Sequence, residues 1–111
     1  MYCVFSTTQF DKEVLKQLSS LQQEQVERLK TKQLLTNPYV GDPIDYRFLR
    51  EKKLKDKRVY FLVYEEFKAV LLIAVSDKKQ QQKTIDCSQR DLDAFYLYMK
   101  ELMQHVARGH A

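Results

Sequence analysis

Glycine and cysteine are both scarce, at two each in 111 residues, and tryptophan is absent. The two glycines, Gly41 and Gly109, cannot build the Gly-rich loops that cradle phosphates in Walker or Rossmann sites. Cys3 and Cys87 cannot form a disulfide scaffold, and with His105 and His110 they have no zinc-finger spacing, so neither a metal nor a cofactor is expected. Both histidines fall at the extreme C-terminus with no nucleophile elbow before them, which argues against a Ser or Cys triad. No apolar run approaches the ~20 residues that span a bilayer, and residues 1–10 lack the basic start and apolar core of a signal peptide. The expectation is one cytoplasmic domain over residues 1–111, with no membrane association.

What is present is positive charge in one place. Nineteen Lys and Arg against fifteen Asp and Glu leave a net charge of +4. Between Arg47 and Arg58, seven basic residues stand against two acidic ones, Glu51 and Asp56, so this segment carries +5 and the rest of the chain −1. Such a concentration attracts anions.

Hydrophobic periodicity divides the chain. Residues 2–6 read as a short strand, with Cys3 a core thiol. Thr7 or Thr8 caps a helix whose buried stripe is Phe10, Val14, Leu18 and Leu21, widened by Leu15. The apolar phase then shifts to Val26, Leu29 and Leu34 or Leu35, which predicts a kink or turn near Ser20–Gln22 and a helical hairpin. Asn37-Pro38 and Gly41-Asp42-Pro43 end the helical part.

Beyond this point the period becomes 2. Asp45–Leu49 predicts a strand, Arg58–Glu65 a second, with Val59, Phe61 and Val63 opposite Tyr60, Leu62 and Tyr64, and Ala69–Val75 a third. Glu65-Glu66 is expected at a solvated reversal. The polar stretch after Ser76 predicts a loop and a very short edge strand at Thr84–Asp86. Ser88 is then the expected cap of a last helix with the stripe Leu92, Phe95, Tyr96, Met99, Leu102, Met103 and Val106, released by Gly109. That stripe is core, or else a dimer face rich in Met and Tyr. The predicted order is β-α-α-β-β-β-α, an α/β (α+β) fold in which the helical hairpin and the C-terminal helix pack on a mainly antiparallel sheet.

The basic segment suits phosphodiester chemistry on RNA. A ribonuclease that uses the substrate's own 2′-OH needs a proton acceptor, cations around the pentavalent phosphate and help for the departing 5′-oxygen. Arginine clamps phosphate through its fork of donors, and clustered lysines lower one another's pKa. Glu51, set among these cations, is either a base or an ion-pair partner that orients an arginine.

Several segments in order carry a family resemblance. Phe10-Asp11-Lys12-Glu13-Val14-Leu15-Lys16-Gln17-Leu18, the junction Asn37-Pro38-Tyr39-Val40-Gly41, and the strand segments Tyr46–Arg50, Lys57–Tyr64 and Val70–Lys79 together resemble the RelE/ParE toxin superfamily over nearly the full length. The resemblance implies a small microbial-ribonuclease-type fold, a cognate antitoxin as partner, and metal-independent cleavage of mRNA on the ribosome. It implies that Arg58 contacts the scissile phosphate and that Lys79 stabilises the transition state, with Arg50 and Lys52 as further catalytic candidates. Arg47, Lys53, Lys55, Lys57 and Lys78 are the implied RNA-binding residues. The family's base-orienting tyrosine has no match here, its position falling on Ile85, and Tyr60, Tyr64 or Tyr96 could substitute for it only if the fold places one near Arg58. The alternatives are a catalytically silent nucleic-acid- or protein-binding domain of the same fold, which a homodimer through Phe95, Tyr96, Met99 and Met103 would suit, and a ParE-like inhibitor of DNA gyrase.

Overall fold

A computed structural model describes residues 1–107; the expected helix release at Gly109, and His110, lie outside the described residues. The chain runs β1 (Cys3–Ser6), α1 (Thr8–Gln17), α2 (Ser20–Arg28), a π-helical turn (Leu29–Gln33) leading directly into α3 (Leu34–Thr36), β2 (Asp42–Ile44), β3 (Tyr46–Leu54), β4 (Lys57–Tyr64), β5 (Ala69–Asp77), α4 (Gln81–Arg90) and α5 (Leu92–Ala107). The strands form one sheet in the order β1-β5-β4-β3-β2. Among the described residues only the β1–β5 pair is parallel; the other pairs are antiparallel.

The helix starts follow from local capping. Thr7 Oγ1 accepts from the Phe10 N–H at 3.0 Å, so Thr7, not Thr8, caps α1. Ser19 and Gln22 form a reciprocal box, Ser19 Oγ accepting from Gln22 N–H and Gln22 Oε1 accepting from Ser19 N–H. A cap of this kind contributes ~1 kcal/mol, and it sets the turn at Leu18–Ser19, slightly before the expected kink.

Period-2 alternation then divides the core. Val59, Phe61 and Val63 lie on the face covered by α1 and α2, together with Phe10, Leu18, Val26, Leu29 and Leu34. Tyr60 and Leu62 lie on the other, with Leu49, Leu71, Ile73, Ile85 and Met99. The stripe of α5 is therefore core: Met99 is fully buried, and Phe95, Leu102 and Met103 pack beside it.

Four expectations are corrected. Residues 81–90 form helix α4 in place of a loop and an edge strand, because Ile85 has sheet core beneath it and burial there outweighs the weak local pattern. Ser88 accordingly lies inside α4, donating to the Thr84 carbonyl, and does not cap α5. The short strand β2, paired with β3, is an addition to the predicted order. Leu15 and Leu21 are exposed, as is Cys3: α1 shows the sheet a narrower stripe than its composition suggests, Leu21 lies beyond α1 in the first turn of α2, and β1 is an edge strand.

Candidate functional site

The β3–β4 hairpin positions the basic segment. Its strands pair from Leu49↔Leu62 to Leu54↔Lys57 and reverse at Lys55-Asp56, with Lys55 in the left-handed region at φ +64°. Cross-strand partners share a face of a pleated sheet. The pairs Glu51↔Tyr60 and Lys53↔Arg58, with Arg58↔Ser76 across to β5, therefore gather Glu51, Lys53, Arg58, Tyr60 and Ser76 on one face. That face lies under α4.

Arg58 is at the centre. Its side chain is 8% exposed, and its Nε lies 3.7 Å from Glu51 Oε1, whose side chain is 4% exposed. The other Glu51 oxygen accepts from Gln81 Nε2 of α4 at 2.8 Å. Among the described residues Arg58 Nε finds no hydrogen-bond partner, so the buried guanidinium is held by charge and keeps donor capacity to spare. Beside it Tyr60 Oη and Ser76 Oγ are 2.8 Å apart, and burial pushes the Tyr60 phenol up to about 12, with the Glu51 charge acting in the same direction. Tyr60 is thus the tyrosine near Arg58, but it is fully buried and cannot stack on a base in this arrangement. Ile85 is buried in the same core.

Lysines rim the cluster. Lys53, Lys55, Lys78 and Lys79 lie exposed at the hairpin end and just past β5, whereas the half-buried Lys57, which alternates with Arg58 and pairs with Leu54 and Asp77, belongs to the opposite face. Gln22 pins this end to α2, its Nε2 donating to the Leu54 carbonyl and to Asp56 Oδ1 at 2.9 Å each.

The remaining basic residues lie elsewhere. Arg50 and Lys52 alternate with Glu51 and so point to the helical-hairpin face. Arg50 is a staple: its Nε donates to the Val40 carbonyl, Nη1 to that of Arg47 and Nη2 to those of Tyr39 and Gly41, all at 2.9–3.0 Å. Lys52 borders a small cavity with Gln25, Arg28 and Leu29. Arg47 lies over the Tyr39 ring at 4.0 Å and, six residues along an extended strand, is about 20 Å from Lys53. Gly41 is required here, since its φ is +76° and a Cβ would meet the Glu51 carbonyl oxygen at 2.3 Å.

A buried arginine with a spare donor, a carboxylate that orients it and a lysine rim together suit a tetrahedral oxyanion. Among the described residues no group of three or more His, Cys, Asp or Glu could hold a metal ion.

No family model and no curated protein matches the chain. Solved structures do. Free E. coli RelE toxin carrying two arginine-to-alanine substitutions matches with a TM-score of 0.65 at 22% identity, covering 80% of this chain and 96% of that one. The fold is that of the RelE toxins. The intact E. coli RelBE toxin–antitoxin complex gives a TM-score of 0.58 at 22% identity, over 69% of this chain and 96% of that one. The toxin–antitoxin complex RelBE2 of Mycobacterium tuberculosis gives 0.59 at 20% identity, over 69% and 91%. Among the described residues of this RelE-fold chain, no helix is long and apolar enough to cross a membrane.

Proposed function

We propose that the protein is a RelE-like toxin that cleaves mRNA on the ribosome and is restrained by an antitoxin polypeptide. One observation carries this reading: within a RelE fold, Arg58 is buried beside Glu51 with an unsatisfied Nε, at the edge of a lysine rim. In the proposed reaction the 2′-oxygen attacks phosphorus and the bond to the 5′-oxygen breaks. The products are a 2′,3′-cyclic phosphate and a 5′-hydroxyl. The proton lost by the 2′-OH passes to a base and one returns to the leaving oxygen. Arg58 offers its donors to the pentavalent phosphate, oriented by Glu51, while Lys79 and Lys53 add charge as it develops. Because α4 covers Arg58, RNA gains access only when the Gln81–Glu51 bond opens.

The test is induced expression in growing cells with primer-extension mapping of mRNA ends, comparing the natural protein with Arg58→Ala and Lys79→Ala, with and without a translation inhibitor. Cuts within translated frames that vanish in Arg58→Ala support the reading. A second reading, a silent binding domain, is favoured by the closure of α4 over Arg58; intact messages and normal growth with folded protein would select it. Growth arrest with intact messages would turn attention to gyrase.

A further inference from the structure

The far end of the sheet has the opposite character. Pairing of β3 with β4 begins only at Leu49↔Leu62, so Tyr46–Phe48 leave the ladder and the β4 end at Val63-Tyr64 is open on that side. The start of α5 closes the gap, leaving a groove of about 660 Å³ lined by Tyr46, Phe48, Tyr64 and Tyr96, with Glu66 and Asp93 among its residues. Tyr46 and Phe48 stack at 5.0 Å and 16°, yet remain 46% and 38% exposed. The Tyr64 hydroxyl is buried with no hydrogen-bond partner among the described residues.

Charge decides what fits. The chain is basic as a whole, but around this groove, where Glu65 is already paired with Lys68 at 3.0 Å, Glu66 and Asp93 outnumber Arg47. A carboxylate rim repels nucleic-acid phosphates and attracts cations, and aromatic faces hold guanidinium and ammonium groups. The same surface already does so internally, with Arg47 over Tyr39 at 4.0 Å. A second copy of the chain would bring like carboxylates together at a twofold contact.

We propose that this groove docks a segment of a partner polypeptide presenting an aliphatic or aromatic side chain flanked by arginine or lysine. The inference rests on the reading that a polypeptide partner exists, and is independent of RNA cleavage. Apolar side chains fill the space between the rings, and the basic neighbours meet Glu66 and Asp93 at the rim, where they steer encounter and set specificity.

The probe is a phage-displayed library of random dodecapeptides panned against the full chain, with the enriched peptide synthesised and titrated. Enrichment of Lys or Arg next to Leu, Phe or Tyr is expected. Binding should weaken about tenfold in the near-isosteric double variant Glu66→Gln/Asp93→Asn and in Tyr46→Ser/Phe48→Ser, and stay unchanged in Arg58→Ala. Loss in Arg58→Ala alone, neutral or acidic consensus peptides, or no enrichment would overturn the proposal. So would self-association abolished by Tyr46→Ser/Phe48→Ser, or single-stranded RNA that binds this groove. Peptide binding retained while Arg58→Ala leaves mRNA cleavage intact would remove only the nuclease site.

Discussion

Arg58 Nε lies 3.7 Å from Glu51 Oε1 beneath α4, and the other Glu51 oxygen is held by Gln81 of α4 at 2.8 Å. One carboxylate therefore links the buried arginine to the helix that covers it. Both charged side chains are more than nine-tenths buried, so each depends on the other for its solvation.

Glu51→Ala strands the arginine. Breaking a buried pair by removing one partner costs ~3–5 kcal/mol, and the lower end is expected here because the 3.7 Å contact is not a hydrogen bond. Urea denaturation should show a loss of about 3 kcal/mol in Glu51→Ala, with much of it recovered in Glu51→Leu/Arg58→Met. Additive losses in the double variant would show that the two residues do not act as a pair.

Gln81→Ala removes the α4 side of the link. Amide hydrogen exchange in residues 81–90 should quicken severalfold while β4 amides stay protected. If the nuclease reading holds, mRNA cleavage should rise in the same variant; slower cleavage would mean that closed α4 is the active arrangement.

Arg50→Lys retains the charge but cannot reproduce a fork to four carbonyls. A loss of ~2 kcal/mol is expected from the stranded acceptors. Gly41→Ala should cost at least as much as the ~1 kcal/mol typical of Ala at positive φ, since its Cβ would also meet the Glu51 carbonyl at 2.3 Å. Thermal unfolding tests both, and an unchanged midpoint in either would show that the Tyr39–Gly41 turn is not rigidly required.

Acid titration reports on Glu65. Donation from Tyr39, then from Tyr2 and Lys68, holds its carboxyl near 2, below the ordinary 4.5. A carboxylate whose folded pKa is depressed adds stability that is complete above the unfolded value and lost as pH falls through the folded one. The difference in melting temperature between the natural protein and Glu65→Gln should be constant from pH 7 to about 5 and shrink between about 4.5 and 2. A pH-independent difference would locate its origin in packing.

Local pattern made part of this legible. The alternation of Val59, Phe61 and Val63 with Tyr60 and Leu62 places both core faces from sequence alone, because the pleat leaves no choice of side once one residue is assigned. A cap at Thr7 or Thr8 and the α5 stripe were equally readable, since caps and amphipathic stripes are properties of a few adjacent residues, and the structure selected Thr7. Gln81–Arg90 was not: its stripe is short and polar, and only the sheet beneath Ile85 makes it a helix.

By itself the sequence determined the two-sided sheet, the helical hairpin and a concentration of positive charge from Arg47 to Arg58. The tertiary structure decided how that charge is used. The pleat sends Arg50 and Lys52 to one face and Lys53 and Arg58 to the other, the strand carries Arg47 about 20 Å away, and α4 closes over what remains. A run of cations in sequence is one feature, whereas on an alternating strand it becomes several, because neighbouring side chains point to opposite sides of the sheet.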